Sequence, residues 1–231
     1  MKKWFVISLI FNLLIIISIT YIALSWRGYI SSFVNDFNKV LYEQRNTMFE
    51  AMPVHDSSIV FLGNSITQGA NWAELFDNPR IINRGISGDV TEGILGRINE
   101  IVRHRPSKLF ISIGTNDIGM EIPNKVIIEN YQEIIKKVRS ASPNTEIYVQ
   151  SILPVAIPPG SLFLHNNKDI IEVNKELKEM CKNMGITYLD LHPHFTDETG
   201  KLKAELTNDD LHLLGKGYLL WKDLIQDYLS Q

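Results

Sequence analysis

From residue 57 onward, short apolar runs alternate with longer amphipathic stretches, and this alternation limits the fold more than any other feature of the chain. The runs Ser58–Leu62, Arg80–Asn83, Lys108–Ile113, Glu146–Ser151 and Ile186–Leu189 have the length and apolar content of strands. The stretches near Trp72–Phe76, Glu92–His104, Lys125–Ser140 and Lys168–Met184 read as helices, and Gly217–Leu229 closes the chain as another. Strand and helix in strict alternation build βαβ units, whose right-handed crossovers cover a parallel sheet on both faces.

Five such strands predict an α/β fold, a three-layer α/β/α sandwich with a flavodoxin-like parallel five-stranded sheet. In sheets of this kind the ligand sits beyond the carboxyl ends of the strands. The 231 residues suffice for one such domain plus an appendage, and 45% hydrophobic content supports a packed core. The formal charge of −3 is unevenly spread. Setting aside Lys2, Lys3 and Arg27 leaves 20 of the 23 basic residues against all 26 acidic ones in the body of the chain. That balance argues against a nucleic-acid surface, which needs a basic stripe to displace counterions. Cys181 is the only cysteine, so an intrachain disulfide is excluded.

The appendage is N-terminal. Trp4 to Leu24 is almost wholly apolar, interrupted by Ser8, Asn12, Ser18 and Thr20. As a helix it would reach roughly 32 Å, close to the hydrocarbon thickness of a bilayer. Lys2 and Lys3 precede it, which favours a cytoplasmic N-terminus and an exported body. The expectation is therefore a transmembrane helix within residues 1–27 that anchors a catalytic domain outside the cytoplasm. The alternative is a cleaved signal peptide, since Ala23-Leu24-Ser25 supplies small residues, although signal h-regions usually run only about 7–15 residues. Residues 28–53 read as a juxtamembrane helix, with Phe33, Phe37, Val40, Leu41, Met48 and Phe49 at helical spacing and Pro53 as its stop. Residues 54–231 form the remaining domain.

The polar motifs fall where strands end. Gly63-Asn64-Ser65-Ile66-Thr67 follows the first strand, and Asn83-Arg84-Gly85-Ile86-Ser87-Gly88-Asp89 the second. Gly114-Thr115-Asn116-Asp117 follows the third, and Asp209-Asp210-Leu211-His212 precedes the last helix. Each alone is weak, since a Gly-Asn-Ser turn is often only a helix N-cap. Together they supply what acyl transfer requires: a hydroxyl beside a base, a group to orient that base, and donors aimed at a developing oxyanion.

In order and spacing the four blocks resemble those of the SGNH, or GDSL-like, hydrolases, over roughly residues 57–228. The resemblance implies a serine esterase that needs no metal and no cofactor. It implies Ser65 as nucleophile, with Asn64 where aspartate is commoner, and His212 as base. Asp209 would orient that base, with Asp210 as the rival in a position where glycine is common. The oxyanion donors would be the Ser65 N–H, the Gly88 N–H, with Gly85 as the alternative, and the Asn116 amide. Within the family, the blocks are similar to carbohydrate acetylesterases, including sialate O-acetylesterases, and to acetylhydrolases of platelet-activating-factor type. The expected substrate is thus a short acyl ester, an acetyl group on a glycan. The alternatives are a lysophospholipase or thioesterase on lipid acyl esters, or a catalytically idle binding module.

Other polar residues read as structural. Asp89 and Asp117 would bond loop backbone, and Trp72, Trp221 and Cys181 would pack. His192-Pro193-His194 makes a poor chelate. His55, His104 and His165 read as surface residues, with His165 in a long irregular stretch, Pro154–Asn167, where it could touch substrate.

Overall fold

The computed structural model of the protein describes residues 2–158 and 165–229. The chain divides into two compact units, Met1–Glu43 and Gln44–Gln231. Helix α1 runs Lys2–Ala51. The expectation of a transmembrane helix over Trp4–Leu24 is overturned: among the described residues no helix is long and apolar enough to cross a membrane. A span needs about 20 consecutive, predominantly apolar residues. Helix α1 does not end with the apolar run but carries on into the polar segment that includes Asn38, Lys39, Glu43, Gln44 and Arg45. The membrane contact expected through that helix is therefore without support.

The second unit carries the alternating pattern. Strands β1 (Ile59–Gly63), β2 (Ile81–Gly85), β3 (Lys108–Ser112), β4 (Glu146–Gln150) and β5 (Thr187–Leu189) pair in parallel in the order β2-β1-β3-β4-β5. Each lies within about two residues of its expected limits. Short helices α2 (Ser65–Gln68) and α3 (Trp72–Leu75) follow β1, and α4 (Thr91–Val102) follows β2. Helices α5 (Thr115–Gly119) and α6 (Asn124–Ala141) follow β3, and α7 (Asn167–Met184) follows β4. Helices α8 (His192–Phe195) and α9 (Gly215–Leu229) complete the chain.

Side chains alternate across the pleat, so one sheet serves two cores. Val60, Leu62, Leu109, Ile111 and Val149 pack on one face against Ile94 and Ile98 of α4, Ile134 of α6 and Val173 of α7. Ile59, Phe61, Phe110 and Tyr148 pack on the other against Trp72 of α3 and Trp221 of α9. Phe61 stacks between Trp72 and Phe110, with ring centroids 4.3 and 5.0 Å away. These two cores account for the near-continuous apolar strands β1 and β3, which are buried on both faces.

The order of strands also locates the site. From β1 the chain turns to β2 on one side, while β3 leads on to β4 on the other, so the carboxyl ends of β1 and β3 flank a crevice. Register sets Gly63 beside both Gly85 and Ser112 at that edge.

Candidate active site

Ser65 opens α2. Asn64 caps the helix, its Oδ1 accepting from the Ile66 N–H at 3.0 Å. Aspartate or asparagine serves equally in that role, which explains why the variant block is tolerated. The cap holds Ser65 half-buried at the carboxyl edge, just past the last residue of β1, Gly63.

The other partners arrive on the loop before α9, pinned by an antiparallel bridge between Thr207 and Leu213. Asp209 Oδ1 accepts from the N–H groups of His212 (2.7 Å) and Leu211 (3.1 Å), and its Oδ2 faces His212 Nδ1 at 2.6 Å. A carboxylate there fixes the proton on Nδ1, so Nε2 is left to accept. Ser65 Oγ lies 3.0 Å from that Nε2. Burial acts to raise the Asp209 carboxyl, but the His212 ring and the two backbone donors outweigh it and bring the group down to about 2. Asp210 turns the chain with φ of +66°, and its carbonyl accepts from the Ala156 N–H at 2.8 Å. Its carboxylate has no described bond to His212, so Asp209 is the residue that meets the ring.

The β2–α4 loop lies against α2. Asp89 N–H donates to Ile86 C=O at 3.2 Å, closing a turn in which Gly88 is third with φ of +77°. A positive φ at that position is the type II requirement that glycine meets without strain. Such a turn does not use the N–H of its two central residues. The Ser87 N–H donates to Gln68 Oε1 at 2.8 Å, whereas the Gly88 N–H has no partner among the described residues. Gly85 differs: its N–H is spent on Asn83 Oδ1 at 2.8 Å. Its role is close approach, since a Cβ there would lie 2.3 Å from the Gln68 nitrogen. Of the two glycines, Gly88 alone retains an unspent donor. Asn116, in the first turn of α5, spends one N–H on Asp89 C=O at 2.8 Å, which ties the β3 edge to this loop.

Deeper groups brace the loop. Arg97 grips Asp89 Oδ2 through Nε and Nη2 at 2.9 and 2.7 Å, and also donates to Arg84 C=O at 2.9 Å. Burial pushes the Asp89 carboxyl up to about 6, while Arg97 pulls it the other way. Asp117 accepts from the Thr91 N–H and hydroxyl at 3.0 and 2.5 Å, holding the start of α4. Asp89 Oδ1 also accepts from the Val90 N–H at 3.0 Å, so Asp89 and Asp117 bond loop backbone as expected, but the sequence motifs do not single out Arg97. A signal for it exists: it stands with Ile94, Ile98 and Ile101 on the apolar face of α4, where a charge needs a buried partner.

Two histidines depart from the surface reading. His104 is fully buried, accepting from the His55 N–H at Nδ1 (3.0 Å), with Nε2 beside Glu100 and Arg84. His165 is also buried, its ring against Gly119 on α5, and burial lowers its basicity with the nearby His212 acting in the same direction. Trp72, Trp221 and Cys181 are core residues, and burial pushes the Cys181 thiol up to about 12. Leu162, Phe163 and Leu164 of the long loop lie outside the described residues.

A parallel α/β sandwich carrying a serine, a histidine and an aspartate in hydrogen-bonded series at its carboxyl edge defines an ester hydrolase of the serine type. Residues 61–220 match the model of the GDSL-like Lipase/Acylhydrolase family, and the chain belongs to that family. It is 28% identical over 170 residues to the platelet-activating factor acetylhydrolase IB subunit alpha2 of Homo sapiens, covering 71% of this chain and 72% of that one. A Streptococcus pneumonia chain described as a platelet activating factor superposes with a TM-score of 0.80 at 30% identity, over 87% of this chain and 99% of that one. A GDSL-like lipase from Bacteroides thetaiotaomicron shares the fold, with a TM-score of 0.72 at 23% identity over 82% of this chain and 97% of that one. The family resemblance read from the four sequence blocks therefore holds, and the protein is an ester-hydrolysing enzyme.

Proposed function

We propose that the enzyme removes short acyl groups, acetyl first among them, from hydroxyls of a carbohydrate, through an acyl-enzyme on Ser65. The observation that carries the acyl-enzyme is the series from Asp209 Oδ2 to His212 Nδ1 at 2.6 Å and from His212 Nε2 to Ser65 Oγ at 3.0 Å. Ser65 Oγ attacks the ester carbonyl carbon as its proton passes to His212 Nε2, and Asp209 stabilises the imidazolium. The tetrahedral oxyanion is held by the N–H groups of Ser65 and Gly88 and by the second N–H of Asn116. Collapse expels the alcohol, which takes the proton from His212. Water, deprotonated by the same ring, then releases the acid.

Two observations favour a small acyl group. The buried His165 ring fills the space beside Gly119, about one helical turn beyond Asn116. Val155, which opens the long loop, is buried in the core, and Ile157 packs against that core. The glycan assignment rests on the likeness of the sequence blocks to carbohydrate acetylesterases. The names of the relatives favour a second reading, an acetyl ester of a lipid alcohol.

A panel of p-nitrophenyl esters from acetate to palmitate, run beside O-acetylated sugars and an acetylated ether lipid, tests this. We expect kcat/KM to be highest for acetate and to fall steeply by octanoate, because forcing carbons into a filled pocket costs about 1–3 kcal/mol. An optimum at eight carbons or longer would overturn the short-acyl reading. Preference for the ether lipid over the sugars would favour the lipid alcohol.

A further inference from the structure

We infer that Arg45, in the last turns of α1 and outside the family-matched residues 61–220, is a positioning residue for the oxyanion loop. The inference rests on the reading of Gly88 and Asn116 as oxyanion donors. Arg45 Nε donates to Gly85 C=O at 2.8 Å, at the point where β2 ends and the loop to Gly88 begins. Single bonds hold the rest of the loop's backbone in turn. The Gly85 N–H goes to Asn83, the Ile86 N–H to Gly63 C=O at 3.0 Å, the Ser87 N–H to Gln68, and the Asp89 C=O accepts from Asn116. Arg45 supplies the bond to the carbonyl at its origin.

The arginine reaches that carbonyl along a fixed path. Its guanidinium lies 4.9 Å from the centroid of the Phe49 ring, and the Arg84 guanidinium lies 4.6 Å from the same centroid. Phe49 is only 2% exposed. Arg84, adjacent to Gly85, is itself clamped to Glu100 through Nε at 3.0 and 3.2 Å. Arg103 caps the same helix end, donating to the carbonyls of Phe49 at 2.6 Å and Met52 at 3.0 Å. The end of α1 and the start of the loop therefore share one packed, hydrogen-bonded joint. A donor set that must meet an oxyanion to within a fraction of an ångström is sensitive to such a joint, since misplacement by about 1 Å can cost about 10²-fold in rate.

The test compares Arg45→Ala, Arg45→Lys and Asn116→Ala in the full chain, on p-nitrophenyl acetate, with active sites titrated by a fluorophosphonate. Lysine keeps the charge and the aliphatic stem but places no N–H where Nε stands, so it decides the question if the alanine variant does not fold. We expect Arg45→Lys to melt as the wild type does, with kcat per titrated site down about tenfold and KM within about twofold. Arg45→Ala should fall at least as far. Asn116→Ala should lose about 10²–10³ in kcat. Unchanged kcat per titrated site in both Arg45 variants, with Asn116→Ala impaired, would overturn the positioning role and leave the oxyanion reading standing. Full kcat in Asn116→Ala would overturn the oxyanion reading and this inference with it.

Discussion

Asp209 grips the histidine loop at three points, through one ring nitrogen of His212 and through the backbone N–H groups of His212 and Leu211. That grip lowers its carboxyl to about 2, below the value of about 3.9 expected in the unfolded chain. The stabilisation it gives is thus fully present above about pH 4 and is lost as pH falls through about 2. We expect Asp209→Asn to lower kcat by about 10⁴-fold through the wrong tautomer. We also expect urea midpoints of the wild type to drop more than those of the variant between about pH 4 and pH 2. Parallel curves would show that the carboxylate contributes nothing to the fold there. Asp209, His212 and Ser65 are all legible in sequence because their chemistry has few substitutes and their spacing is fixed. Arg97 is not, because a lone arginine among aliphatic residues reads as solvated until its buried partner Asp89 is seen.

At the scale of elements, the close seat of α2 on the strand ends depends on Gly85. A Cβ there would meet the backbone of Gln68 at 2.3 Å and of Asn64 at 2.8 Å, and neither can give way without moving Ser65. We expect Gly85→Ala to cost about 1–3 kcal/mol in urea denaturation and to lower kcat on p-nitrophenyl acetate sharply. A variant of wild-type stability and rate would show that α2 does not need this approach. Gly88 contrasts with it, since nothing lies within 4 Å of a Cβ there and only φ of +77° calls for glycine. The sequence blocks leave the two glycines undecided because both close approach and positive φ select the same residue. The strands and long helices are legible to within about two residues because burial on both faces and a 3.6-residue period leave strong patterns. The segment before residue 54 is less legible. Its apolar run suggests a membrane span, whereas α1 is a single helix from Lys2 to Ala51 with no qualifying span among the described residues.

In the molecule as a whole, the site is assembled from parts distant in sequence. Ser65 follows β1, Gly88 follows β2, Asn116 follows β3, and His212 comes from a loop 147 residues beyond Ser65. The strand order β2-β1-β3-β4-β5 brings the first three to one edge, and the bond from the Ala156 N–H to Asp210 C=O ties the histidine loop to the segment after β4. If this edge works by covalent catalysis on one hydroxyl, a single side chain must carry both the label and the rate. The most direct measurement is to label the full chain with a fluorophosphonate, map the modified peptide, and assay Ser65→Ala on p-nitrophenyl acetate. We expect one label per chain, on Ser65, and a folded Ser65→Ala variant without measurable turnover. A label on any other residue, or more than a few per cent of the wild-type rate in Ser65→Ala, would contradict it.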